Sequence, residues 1–383
     1  MMNKDSVLMS QPVQVAPDLL EVGRPLLWPL YSASDRQLAP QGHVIQTEGE
    51  CARFRAQGYY HPPERLEEVL ISEAAAVDSL NPIDPFTEYG FLLVSLERAL
   101  DALARGQKDA RQRLMDLVQR VRLAGMSNPE ACLALIHVYA ARPSVHEQTL
   151  FYAFLCWFVG SELGYEEEAL QQLVAAALSA NIALMPFQDR LNASRNTLSD
   201  QQRAIIRRHP ERSAEVLAAA GVADEPIITA IRQHHEEWDG SGYPNGLRAK
   251  AISQPARILA MAERYVALIT RRAYRERYRT DDALRYLLDV ARQDPNKAHY
   301  RALYNTLTIH PPGALVQLRN GETAVVAKRA LGERPLEMLC VANPQGHFYL
   351  DPILRRDDGT HSLIEQTVVT EPRPSLDLAR LLG

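Results

Sequence analysis

From about residue 88 the apolar positions recur at spacings of three and four, as in Leu92, Leu93, Leu96, Leu100 and Leu103, the period that lays one stripe along an α-helix. The pattern continues to about residue 308 and predicts helices over 146–163, 168–184, 199–208, 211–220, 226–237, 255–272 and 281–292. Gly164, Pro186, Pro210, Gly221, the run Asp239-Gly240-Ser241-Gly242-Tyr243-Pro244 and Asp294-Pro295 separate them, since glycine adopts positive φ and proline cannot donate to a helix. Beyond Pro311-Pro312-Gly313 the character changes to short β-rich runs, 314–318 and 323–327, divided by the hairpin signal Asn320-Gly321. At the other end, 18–62 holds short apolar pieces (26–31 and 43–45) broken by Gly, Pro, Ser and Asp. The pattern implies a mainly α chain: a flexible leader 1–17, a small β-containing module 18–80, a linker at 81–85, a helical domain 88–308 and a β-rich extension 309–383.

A length of 383 residues suits two or three domains. A hydrophobic share of 46% and a formal charge of -5 give no global pull toward a nucleic acid polymer or an anionic membrane. Cys51, Cys132, Cys156 and Cys340 are far apart and form no CxxC pair, which indicates neither a zinc knuckle nor a disulfide framework. The longest apolar run, 150–159, falls short of the roughly 20 residues that span a bilayer. No secretory leader is recognisable, so the expectation is a soluble cytoplasmic protein without a transmembrane segment. Charge is nevertheless uneven. Arg264, Arg271, Arg272, Arg275, Arg277 and Arg279 crowd one segment against Glu263 and Glu276, which suits a phosphate ligand, although a solvated arginine-rich helix accounts for most of them.

The stretch His234-His235-Glu236-Glu237-Trp238-Asp239-Gly240-Ser241-Gly242-Tyr243-Pro244-Asn245-Gly246-Leu247 joins a pair of potential metal ligands to a glycine-punctuated turn. Ile227, Ile228 and Ile231 share a helix face with the histidines, which therefore project inward. Adjacent histidines on a helix point about 100° apart and serve one cluster only if it is wide or holds more than one metal. A bare His-His-Glu would read equally well as a helix-ending turn with one core and one surface histidine.

With the DGSGYPxGL run attached, this segment resembles the signature of the HD-GYP family, and the likeness covers roughly residues 140–280. The resemblance implies a helical bundle whose histidines and carboxylates converge on two or three iron or manganese ions and open cyclic di-GMP. Matched positions are His234 and His235, His209 in His209-Pro210, His146 for the first histidine, and Glu263 for the last carboxylate. His146 reads equally as a capped core histidine. The namesake His-Asp pair falls on Ala180 and Asn181, the phosphate-handling lysine on Leu184, and an acidic ligand position on Arg142. Without the bridging aspartate two dications would sit close together with little to offset their repulsion. The surviving set His146, His209, His234, His235 and Glu263 then holds one Fe or Mn ion, or none. Arg272 and Arg275 match the family's phosphate-contacting positions, with structural salt bridges as the alternative. The resemblance also links the loop Asp239, Gly240, Gly242, Tyr243, Pro244 to contacts with GGDEF-domain partners. Three functions follow: a catalytically impaired regulator that binds cyclic di-GMP or a partner, a phosphodiesterase with a reduced metal site, or a structural scaffold.

Overall fold

The computed structural model describes residues 13–15, 20, 22, 26, 29–40, 43–60, 84–187, 199–272, 275–291, 297–360 and 362–369. Most of the leader 1–17, residues 81–83 of the expected linker and the expected break at Asp294-Pro295 lie outside them. The chain forms two compact units. The first, within residues 1–83, contains β1 (Val13–Gln14), β2 (Leu30–Tyr31), β3 (Gln37–Ala39), α1 (Glu48–Gln57) and β4 (Tyr59–Tyr60). Its sheet runs β1-β4-β2-β3. Residues 13–14 of the expected loose leader are thus a paired strand, because Val13 and Gln14 find open backbone partners in Tyr60 and Tyr59. The α1 helix was not legible as a helix: it buries only Cys51 and Phe54, too narrow a stripe to set a period, and its start is fixed by the Thr47 hydroxyl accepting from the Glu50 amide.

The second unit opens with helices α2 (Pro85–Ala104), α3 (Ala110–Ser127), α4 (Pro129–Val138), α5 (Val145–Glu162), α6 (Glu167–Ser179), α7 (Asp200–Ala219), α8 (Glu225–Gln233), α9 (Gln254–Ile269), α10 (Thr280–Ala291) and α11 (Ala298–Leu307). The apolar α5 is the centre of the bundle and packs against α6, α9 and α11. A capping box starts it: Ser144 accepts from the Glu147 amide and Glu147 accepts from the Ser144 amide. Glu147 also accepts from the Tyr89 hydroxyl at 2.9 Å, tying α5 to α2.

Several helix bounds differ from the sequence pattern. The expected pair 199–208 and 211–220 is the single helix α7, with Pro210 inside it. Proline leaves the carbonyl four residues back without its amide donor, and His209 Nδ1 donates to that carbonyl, Ile206 O, at 2.6 Å. Conversely α6 stops at Ser179, so Ala180, Asn181 and Leu184 lie in the following turn, where Ser213 Oγ accepts from the Ala183 amide. Helix α8 ends at Gln233 and α9 at Ile269, short of residues 237 and 272.

After α11 come β5 (Leu315–Leu318), β6 (Thr323–Lys328), β7 (Leu336–Ala342), β8 (Phe348–Asp357) and β9 (Ile364–Thr367), an antiparallel sheet ordered β8-β7-β6-β5-β9. The hairpin at Asn320-Gly321 is present, with Gly321 at φ +86°. One face closes on Val316, Leu318, Ala324, Val326, Met338 and Cys340. The sheet is anchored to α4: Arg329 and Arg334 pair with the buried Glu130 at 3.2 and 2.5 Å, and Arg329 donates to Thr306 O. Gly313, at φ +79°, passes so close to α4 that a Cβ would stand 2.6 Å from Ala134 O. Among the described residues no helix is long and apolar enough to cross a membrane.

Two stability measurements follow. Gly313→Ala is expected to lower the unfolding free energy by more than about 1 kcal/mol in a urea titration, since the site demands both positive φ and close approach. Glu322 is the second. Burial alone would raise its pKa, but hydrogen bonds from Asn320, Arg355, Tyr349 and Cys340 outweigh it and hold the value at about 2, against 4.5 unfolded. Its contribution is therefore complete above about pH 4.5 and is lost as pH falls toward 2. Glu322→Gln should flatten the melting temperature across that window; an unchanged slope would refute the role.

Candidate functional site

His209, His234 and His235 bring their ligand atoms within 4.8 Å of one another. His209 comes from mid-α7, beside Pro210; His234 and His235 follow the last turn of α8. The ring centroids of the adjacent pair lie 4.1 Å apart, so both histidines belong to one cluster.

Both buried histidines are oriented the same way. His209 Nδ1 donates to Ile206 O and His234 Nδ1 donates to Ile231 O, each at 2.6 Å. A carbonyl only accepts, so each Nδ1 carries the proton and each neutral ring presents its Nε2 lone pair. The two Nε2 atoms face one another at 3.3 Å. Burial, then the neighbouring His234, pushes the His209 pKa down to about 3; burial pushes His234 down to about 4. His235 is driven well below its ordinary value by burial and by His234, His209 and Arg264. At neutral pH no proton separates the facing lone pairs. A cation between them would satisfy both, and imidazole suits iron or zinc while a nearby carboxylate extends the choice to manganese, so the donor set fits a metal ion.

Glu263 on α9 closes the cluster, with Oε2 3.8 Å from His234 Nε2 and 4.0 Å from His235 Nε2. Its other oxygen accepts from Asn181 Nδ2 at 2.5 Å. Burial raises the Glu263 pKa to about 7, although the Asn181 hydrogen bond opposes the rise. Ala180 is fully buried and contributes no polar atom, and Leu184 is likewise buried.

The glycine-rich loop is stapled from beneath. Glu236 is buried and accepts from the amides of Asn245 and Leu247 at 2.7 and 2.9 Å. Glu237 pairs with Arg264, and Arg257 lies over the Trp238 ring at 4.7 Å. The Tyr243 amide donates to His235 O, and the Tyr243 ring stacks on His235 at 4.7 Å. Gly240 has φ +79°, and a Cβ on Gly242 would meet the Glu237 amide nitrogen at 2.3 Å, so neither position admits another residue without a shift. Asp239 is exposed and binds Ser241, while Pro244 is half-buried.

His146 and Arg142 require correction. His146 is not part of the ligand cluster. Gln148 is the α5 residue that holds Arg272, and two residues of helix put His146 about 160° away from it. Arg142 precedes the helix in an exposed turn and is not on α5 at all. The pocket stripe instead carries Gln148, Tyr152 and Cys156, an i, i+4, i+8 spacing visible in the sequence once the helix phase is known. Arg272 Nη2 donates to Gln148 Oε1 at 3.2 Å. Arg275 donates to Ala267 O at 2.6 Å and lies over the Tyr278 ring, which makes it a cap on the C-terminus of α9. Residues 273 and 274, between these arginines, lie outside the described set.

Residues 133–296 match the HD domain family. The chain is 26% identical over 278 residues to a cyclic di-GMP phosphodiesterase of Pseudomonas aeruginosa, covering 69% of this chain and 67% of that one. It is 31% identical over 193 residues to the cyclic di-GMP phosphodiesterase response regulator RpfG of Xanthomonas campestris, covering 48% of this chain and 50% of that protein. It thus spans about half the length of the second relative. An HDG"Y"P protein from Bdellovibrio bacteriovorus superposes with a TM-score of 0.48 at 16% identity, over 77% of this chain and 99% of that chain.

The geometry predicts how a metal should titrate. Below about pH 7 Glu263 holds a proton that an incoming cation must displace, and above it the carboxylate is free. Manganese affinity measured by calorimetry is expected to rise as pH increases from 6 to 7.5 and then level. Glu263→Gln should remove that rise, and His234→Ala should lose the metal altogether; a pH slope retained in the glutamine variant would rule out the carboxylate.

Proposed function

We propose that this chain is a protein of the HD-GYP type, as its match to the HD domain family over residues 133–296 and its likeness to cyclic di-GMP phosphodiesterases support, and that it binds cyclic di-GMP at a single metal centre and acts as a regulator without opening the ring by two-metal hydrolysis. The observation that carries this reading is the 2.5 Å hydrogen bond from Asn181 to Glu263. An amide now stands beside the carboxylate, where a bridging anion would be needed to hold two cations together, and a neutral carbonyl oxygen bridges poorly. His209, His234 and His235 with Glu263 would hold one Fe or Mn ion. Such an ion, when bound, polarises a phosphodiester oxygen and lowers the pKa of a coordinated water.

This chain's own residues supply the rest. The paired backbone carbonyls fix the imidazole tautomers, and Tyr243 covers His235, which keeps only 29% of its side-chain surface. Arg272, carried to the pocket side of α5 by Gln148, offers a permanent cation to a phosphate. A GGDEF-domain partner belongs to the same reading, through the exposed Asp239, Ser241 and Asn245 of the loop. The intact imidazole triad favours one competing reading, a phosphodiesterase with a reduced metal site.

The test is binding and turnover of cyclic di-GMP by the purified chain, supplied anaerobically with iron or manganese, beside a His234→Ala/His235→Ala control. The expected result is saturable binding, one metal per chain and no linear dinucleotide. Product formed only by the unmutated chain would replace the regulator with the reduced-site enzyme. Ala180→His with Asn181→Asp is expected to raise metal content from one toward two per chain; unchanged content would show that these positions do not face the centre.

A further inference from the structure

Of the three imidazoles in the cluster, those of His209 and His234 are enclosed, while His235 keeps 29% of its side-chain surface. A ligand bound for the centre therefore arrives beside His235. Two side chains stand at that edge. The Tyr243 ring stacks on His235, with centroids 4.7 Å apart and an interplanar angle of 27°. Arg207, on α7, holds its guanidinium carbon 5.5 Å from the centroid of the same tyrosine ring. Arginine, tyrosine and histidine thus form one contiguous column, and the cation is a single ring removed from a donor of the cluster.

Helix α7 carries Arg203, Arg207, Arg208 and Arg212. Arg203 pairs with Asp200 and Arg212 with Glu215, as exposed helical arginines commonly do. Arg207 is exposed but has no carboxylate partner and no hydrogen bond among the described residues; its one contact is the Tyr243 ring. Attraction between a guanidinium and an aromatic face gives the side chain a fixed place while leaving its five N–H donors unused. The platform is itself fixed, because the Tyr243 amide donates to His235 O and Gly242 is held against the Glu237 amide. An arginine that is positioned yet not neutralised can take an anion without first giving up a carboxylate.

A cyclic dinucleotide carries two phosphodiester anions on one ring. While one of them occupies the metal, the other lies to its side, where it requires a second source of positive charge. We propose that Arg207 is a ligand-contacting residue of this centre, its guanidinium donating to the phosphodiester that is not held at the metal. The inference rests on the cyclic di-GMP reading above and adds to it a cation from α7, outside the arginine-rich segment 264–279.

Arg207→Gln in the full manganese-loaded chain removes this charge. Titration with cyclic di-GMP is expected to show affinity weakened about tenfold or more, the usual effect of losing a hydrogen bond between charged groups, with metal content and melting temperature unchanged. Arg208→Gln removes the same charge one position along, where no ring holds it, and should weaken binding less than about threefold at physiological salt, because an unplaced surface charge is screened. Equal affinity of Arg207→Gln and the unmutated chain overturns the inference and leaves the cyclic di-GMP reading standing. Equal weakening in the two variants also overturns it, since the effect would then belong to the overall charge of α7. So does loss of manganese in Arg207→Gln, which would mean that the arginine holds Tyr243 and His235 for the metal alone. An unmutated chain that binds no cyclic di-GMP overturns the parent reading, and the inference with it.

Discussion

Two short hydrogen bonds from imidazole to backbone decide what this pocket can be. Each occurs where a helix has a carbonyl to spare: Ile206 O because Pro210 lacks an amide proton, and Ile231 O because α8 ends two residues later. Helix interruptions are usually a loss of backbone pairing. Here the freed acceptors take the Nδ1 protons of His209 and His234, so both rings present Nε2 lone pairs toward one point with no side chain needed as orienter. A surrounding of buried apolar residues keeps those rings neutral.

The glycine-rich loop serves that arrangement. Glu236 and Glu237 hold the loop and α9, through the Asn245 and Leu247 amides and through Arg264. Tyr243 is thereby returned over His235. The close approach at Gly242 leaves no slack. A loop that begins as a surface-facing turn is in this way also the outer wall of the centre, and its sequence is constrained on both accounts.

The opposite wall is lined by Asn181, Ala180, Leu184 and Gln148. Asn181 and Glu263 form an amide–carboxylate pair that needs no second cation. Ala180 and Leu184 contribute buried apolar surface. Gln148 then brings uncharged polarity to the pocket side of α5, with Arg272 as the cation attached to it. This part of the molecule thus combines a set of neutral nitrogen donors, one carboxylate and one arginine.

The order of helices, the hairpin at Asn320-Gly321 and the identities of His209, His234, His235, Glu263, Ala180 and Asn181 were all legible in the sequence, because periodicity, turn chemistry and a local motif are properties of neighbouring residues. Local pattern reads a proline as a break, and it gave two helices where α7 is one; the compensating His209 bond is a matter of side-chain rotamer, which no spacing encodes. It likewise placed His146 in the pocket and Arg275 on a phosphate. The rotational phase of α5 and the carbonyls exposed at the end of α9 exist only once those helices are packed, and they set Gln148 against Arg272 and commit Arg275 to a cap. Sequence alone determined which chemical groups are available; packing decided which of them share a space, since convergence depends on helix phase and helix ends fixed by contacts distant along the chain.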